Sequence, residues 1–261
     1  MEKRPVIFYD LECTGADKDT NRIRIIEISA IKVNIDTLEE VDRLYYRCNN
    51  DGVPIAPDAT ERHGVREEDL VGLPSFNDVA SEVYEFFKDC DLGGYYCTFY
   101  DNSILYMSLL RAGYKWDWRQ LNVYDIYTLY KKYNTGKLGE VYHRYTGKTM
   151  EHAHEAEADI RATIAIYKAQ RELGEEFESD ELKPYKDNLD IEGKFKVRDK
   201  ENGEGKEIYI NFGKYKGTSV EDVDEGYFEW MINNSNGYCA DTIHFAKIIL
   251  KNKRNKLYGI G

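Results

Sequence analysis

The chain has 261 residues, 42% hydrophobic and 32% charged, a balance that fits a folded globular protein and excludes a disordered or fibrous one. Its formal net charge of −12 argues against holding duplex nucleic acid by bulk electrostatics, although carboxylates gathered around divalent cations count towards that total and are cancelled locally. No apolar run approaches the roughly 18–20 residues needed to cross a bilayer, Met1–Pro5 shows no signal-peptide pattern, and the five cysteines lack C-x-x-C spacing, so the expectation is a cytoplasmic protein with no membrane partner, disulfide framework or zinc finger.

Pro5–Tyr9 is a short apolar run ending at Asp10 and predicts a buried strand. Arg24–Asn34 sets Ile26, Ile28 and Ala30 against Glu27, Ser29 and Ile31, a second strand, and Leu44–Cys48 suggests a third; together they predict an antiparallel meander. Phe76, Val79, Val83, Phe86 and Phe87 then recur at helical steps behind Ser75. Past the Gly93-Gly94 break, a strand is expected to lead into a helix over Asp101–Ala112. Leu138–Tyr145 predicts another helix, and Glu155–Leu173 a long one with an alanine-rich stripe, stopped by Gly174. This order predicts an α/β domain over residues 1–175. Residues 176–189 turn polar and acidic and predict a linker. In residues 190–261, strands Gly193–Val197 and Glu207–Phe212 flank the turn-forming Glu201–Gly205, and helices follow at Asp224–Asn233 and Thr242–Lys253: a small α+β domain. Residues 1–175 carry net −9 and residues 176–261 net −3, with lysines bunched between Lys247 and Lys256.

Three groups of side chains carry chemistry. In Asp10-Leu11-Glu12, residues two apart on a strand share a face, so two carboxylates stand together beside a buried run. A divalent cation between them is the economical relief of their repulsion; exposed acids at a strand end are the plain alternative. Thr14-Gly15 makes a tight turn behind them. Asp101 opens its helix, where an ordinary N-cap aspartate is expected. Asp159 shares a helix face with Ala162 and Ile166, where packing explains an acid poorly. His154, five residues before it, reaches the same site only from the loop or first turn ahead of the helix; His152 is paired with no acid at such spacing.

In this order the groups resemble the DEDDh exonucleases of the ribonuclease-H-like superfamily. Phe8-Tyr9-Asp10-Leu11-Glu12-Cys13-Thr14-Gly15 is similar to the family's first motif, F-D-x-E-T-T-G. Glu61–Val65, Glu67–Leu70 and Pro74–Phe76 look like its H-G-I, E-D-L and P-x-F signposts, and Lys137–Glu140 with His154–Thr163 like its third motif. The second motif departs from H-N-x-x-F-D: Tyr96, Cys97 and Tyr100 precede Asp101. Cys97 lacks the hydrogen bonds of an asparagine amide, whereas Tyr96 offers a face for a terminal base.

The resemblance implies a mixed central sheet flanked by helices and a metal-dependent 3′→5′ exonuclease releasing nucleoside 5′-monophosphates. It implies Asp10, Glu12, Asp101 and Asp159 as ligands of two Mg²⁺ or Mn²⁺ ions, Asp10 bridging, and His154 as general base. Leu11, Thr14, Gly15 and His63 fall where relatives line the terminal nucleotide. DNA with a single-stranded 3′ end is the expected substrate; an exoribonuclease and a non-catalytic nucleic-acid-binding module are the alternatives. Asn211–Gly217 with Tyr227–Met231 resembles the small C-terminal domain of exonuclease X-like proteins. Its Lys214 and Lys216, set among glycines and aromatics, suit a phosphate backbone; a protein partner docking at Tyr227 and Trp230 is the other expectation.

Overall fold

The first four residues of strand β1 (Val6–Cys13) are buried on both faces, so this strand belongs inside a sheet rather than at its edge. In the computed structural model, which describes residues 3–16, 22–98, 100–132, 136–150, 155–183, 185–201 and 203–257, it lies at the centre of five strands. β2 (Ile25–Val33) and β3 (Glu40–Arg47) complete the expected antiparallel meander on one side. β4 (Asp91–Gly94) and β5 (Val123–Asp125) run parallel to β1 on the other, giving the order β3-β2-β1-β4-β5.

Gly93 and Gly94 therefore end a central strand instead of breaking the chain ahead of one. A Cβ on Gly93 would lie 2.7 Å from the Phe8 ring, and one on Gly94 2.6 Å from the Cys97 Cβ. Close packing against β1 and the following turn, not a turn at the glycines themselves, demands them.

Helices α1 (Pro57–His63), α2 (Phe76–Phe87), α3 (Asp101–Arg111), α4 (Ile126–Lys131), α5 (Leu138–Thr146) and α6 (Ala156–Glu172) complete this unit. The expected Ser75 cap of α2 is present as a reciprocal capping box with Asp78. Ile160, Ile166 and Tyr167 of α6 join Val6, Phe8, Ile31 and Val33 in one apolar core.

The chain divides into two compact units between Pro184 and Tyr185. Residues 176–183, expected as linker, are fastened to the first unit: Phe177 packs on Tyr124 and Tyr167, and the Val123 N–H donates to the Leu182 carbonyl at 2.8 Å. Asn188 and Leu189, also expected there, pair with Lys196 and Phe195 in the second unit.

That second unit is a hairpin, β6 (Phe195–Asp199) and β7 (Lys206–Ile210), with α7 (Glu225–Asn233) and α8 (Ala240–Leu257). Phe195, Ile210, Phe228, Met231, Ile249 and Leu250 form its core. All five cysteines are free and buried, and among the described residues no helix is long and apolar enough to cross a membrane.

Candidate functional site

Alternation along β1 buries Leu11 and Cys13 and leaves Asp10 and Glu12 half-buried on the other face, where the two-residue spacing places them. Register with β2 sets Asp10 opposite Ser29 and Glu12 opposite Glu27, and the pairing shifts immediately after Glu12. Such a bulge ends regular pairing and re-aims the last side chains of the strand.

Asp101 comes from the opposite direction. It is the first residue of α3 rather than its cap, which is Tyr100, whose side chain makes no capping hydrogen bond. Its start is pinned to β1 by the Tyr9 hydroxyl, which donates to Asn102 Oδ1 at 2.6 Å, and by the Leu11 backbone, which steadies the Asp101 carboxylate. Asp159, half-buried on α6, lines the same cleft as Asp10, a hollow of about 460 Å³ walled by Tyr95, Tyr96, Tyr127 and Lys137.

These acids act on one another electrostatically. Burial pushes Asp10 well above the ordinary carboxylate range, and repulsion from Asp101, Glu12 and Asp159 adds to it. Burial, then Glu27, raises Glu12 to about 7, Arg62 pulls against them, and Asp159 adds a smaller push upward. Asp101 rises to about 8, first by burial, with Asp125 and Glu12 contributing. Glu27 is 7% exposed and held by Arg47, whose Nε and Nη2 donate to it at 3.0 and 2.7 Å.

Among the described residues, no group of three or more His, Cys, Asp or Glu side chains could hold a metal ion as it stands. The donor set nonetheless fits one kind of ion. Its atoms are all carboxylate oxygens, which suit hard divalent cations, and their mutual repulsion is what such a cation relieves.

His63 closes α1, and its Nδ1 accepts the Val65 N–H at 3.1 Å, which leaves Nε2 to carry the proton. Burial lowers its pKa, with the Cys13 backbone opposing. Gly15 accepts a hydrogen bond from the Tyr100 hydroxyl at 2.6 Å through its carbonyl, and an added Cβ would meet that of Ala56 at 3.3 Å. Thr14 is 3% exposed and its hydroxyl accepts the Arg24 N–H at 3.0 Å, so this side chain is committed to joining β1 to β2. Leu11 is likewise buried. Tyr96 is half-exposed beside the cleft and edge-on to Tyr127 at 5.2 Å. His152 and His154 lie outside the described residues.

Sequence reasoning passed over Asp125. This residue is 3% exposed and takes the Tyr96 and Thr98 backbone N–H groups at 3.0 and 3.1 Å and the Thr98 hydroxyl at 2.6 Å. It also caps α4 through the Thr128 N–H, and an aspartate three residues ahead of a threonine at a helix start was a readable signal. Glu27 left no such signal, because its place beside Glu12 depends on strand register.

The mixed sheet sets Asp10 of its central strand and Asp159 of α6 in one cleft, with Glu12 and Asp101 acting on Asp10 electrostatically. The chain belongs to the exonuclease family RNase_T, whose model matches residues 7–167 and does not reach the second unit. Its fold is similar to that of exonuclease I. The E. coli enzyme in a zinc-bound complex with single-stranded DNA aligns with a TM-score of 0.53 and 20% identity, over 66% of this chain and 41% of that one. The same enzyme with a dA16 oligonucleotide gives 0.56 and 19%, over 65% and 41%. A further exonuclease I structure gives 0.54 and 20%, over 70% and 43%. The match thus spans about two fifths of those longer chains. No curated protein matches the chain.

Proposed function

We propose that the chain is a metal-dependent 3′→5′ exonuclease that removes nucleoside 5′-monophosphates from single-stranded 3′ ends of DNA. The supporting observation is that Asp10 and Asp159 line one cleft within the family-matched segment, with Glu12 and Asp101 contributing to the raised pKa of Asp10.

In this reading those four carboxylates would hold two Mg²⁺ or Mn²⁺ ions. When bound, the ions supply positive charge to the attacking and leaving oxygens at phosphorus. His154 takes a proton from the attacking water, a role suited to an imidazole that titrates near neutrality. Tyr96 presents its exposed ring to the terminal base, and Gly15 and His63 border the nucleotide. Asp125 is a positioning residue: it holds the turn that carries Tyr96 and leads to Asp101.

The test is incubation of 5′-labelled single-stranded DNA and RNA with the protein, with Mg²⁺ or with EDTA. A metal-dependent ladder shortening from the 3′ end on DNA is expected. Preference for RNA would make it an exoribonuclease, and intact strands would make the first unit a binding module.

A further inference from the structure

The second unit contains a hollow of about 570 Å³ that the family match does not reach. Its origin is in α7. Phe228 and Met231 face the core, which leaves Tyr227 and Trp230, three residues apart, on an adjoining edge; Trp230 is 51% exposed. The two rings are stacked, with centroids 6.0 Å apart and planes 19° from parallel. Tyr215 meets Tyr227 edge-on at 4.7 Å, and Phe212 packs on Tyr238 at 5.8 Å behind them. Gly213, at φ +58°, turns the loop that carries Lys214 over this wall.

The charge around the hollow is what selects a ligand. Lys214 Nζ lies 4.6 Å from the Tyr215 ring centroid and 6.0 Å from that of Tyr227; Lys194, 5.3 Å from the Phe212 ring and outside the lining, is paired with Glu192. Asp224, on the rim, spends its carboxylate on the Gly226 N–H at the start of α7. The basic run at the end of α8, read from sequence as a second positive feature, is partly committed elsewhere. Lys253 donates to the carbonyls of Val220 and Glu221, and Arg254 pairs with Glu225 and Glu229.

A cationic ligand would compete with Lys214 for the ring faces it already covers. A neutral apolar ligand would make no use of the exposed Lys214 ammonium. A planar base joined to a phosphate uses both the aromatic wall and that ammonium group. We propose that this hollow is a second binding site for single-stranded nucleic acid, taking a base on the exposed ring of Trp230 and the adjoining phosphate at Lys214. The proposal rests on the nuclease reading only for the choice of polymer.

The test uses the full chain in EDTA, so that the strand stays whole, titrated with a single-stranded thymidine decamer. Trp116 and Trp118 are 5% and 1% exposed, so quenching of solvent-exposed emission reports Trp230. Saturable quenching is expected, and Trp230→Ala, which lacks the reporter and is therefore followed by the anisotropy of a fluorescein-labelled decamer alongside the parent, should bind about 5- to 150-fold more weakly, the worth of one base–aromatic stack. Lys214→Gln, at an exposed position, should lower the slope of log affinity against log salt by about 0.7. Unchanged affinity in the first variant and unchanged slope in the second would overturn the proposal even in a chain that cleaves DNA. Quenching at Trp230 by a chain that cleaves nothing would overturn the nuclease reading and leave this site standing.

Discussion

The carboxylate of Asp125 receives the backbone N–H of Tyr96 at 3.0 Å while Tyr96 holds φ at +64°, a left-handed backbone that L-residues other than glycine rarely adopt. That conformation costs about 1–3 kcal/mol. Hydrogen bonds to a buried carboxylate are worth about 1.5–3 kcal/mol each, and Asp125 accepts three from Tyr96 and Thr98. The anchor therefore outweighs the strain, and the turn presents Tyr96 to the cleft.

Asp125→Asn points an amide N–H₂ at groups that are themselves donors. It should lower stability by about 1–3 kcal/mol in urea unfolding. Displacement of the turn should cost up to about 10²-fold in nuclease rate. Tyr96→Gly, which tolerates positive φ, should make the Asp125→Asn stability loss smaller in the double variant. Strictly additive losses would show that the two residues are not coupled.

Asp10→Ala and Asp101→Ala should each reduce cleavage by several orders of magnitude, since each removes a carboxylate from the charged site at phosphorus. Asp10→Ala should not lower the melting temperature of the metal-free protein, because it relieves the cost of burying one more acid among others; Asp101→Ala also gives up the bond to the Leu11 backbone and should be the less stable of the two. A folded Asp101→Ala variant that degrades single strands at the parental rate would contradict the assignment.

His154→Ala should lower kcat by about 10²–10⁴-fold, the usual worth of a positioned general base, while metal binding survives. His152→Ala should change kcat little. Steady-state rates for the two variants, with a thermal shift in Mn²⁺ as the binding control, check both statements.

Millimolar Mn²⁺ should raise the melting midpoint relative to EDTA. A ligand at 100 times its Kd stabilises by about 2.7 kcal/mol, or roughly 5–10 °C for a chain of this size. The rise should be larger at pH 8 than at pH 6. Folding raises Glu12 to about 7 and Asp101 to about 8, so at pH 6 the folded site retains protons that the metal must displace. Equal midpoints at both pH values, with and without metal, would contradict it.

Much of this was legible because local pattern and tertiary structure agree. The apolar run of β1 reports burial on both faces, and period-two alternation alone placed Asp10 and Glu12 side by side. Ser75 and Gly174 mark real helix ends because capping is a local interaction. β5 and α4, at three and six residues, are too short to show a period, so Asp125 at their junction was missed with them. Gly93-Gly94 looked like a break because the Phe8 ring that requires Gly93 is 85 residues away in sequence. Phe177 sits in a polar stretch, and only its contact with Tyr124 and Tyr167 reveals that the stretch is packed. Thr14 matched a substrate-lining position, yet its hydroxyl is engaged with Arg24, a partner that a motif cannot show.

The central claim is that the carboxylate cleft cuts a strand from its 3′ end, and release of the terminal residue from a 3′-end-labelled single strand tests it most directly. With Mg²⁺ or Mn²⁺, the first labelled product should be a nucleoside 5′-monophosphate, and Asp101→Ala should not form it. First appearance of the label in internal fragments or as a 3′-monophosphate, or equal release by Asp101→Ala, would contradict the account.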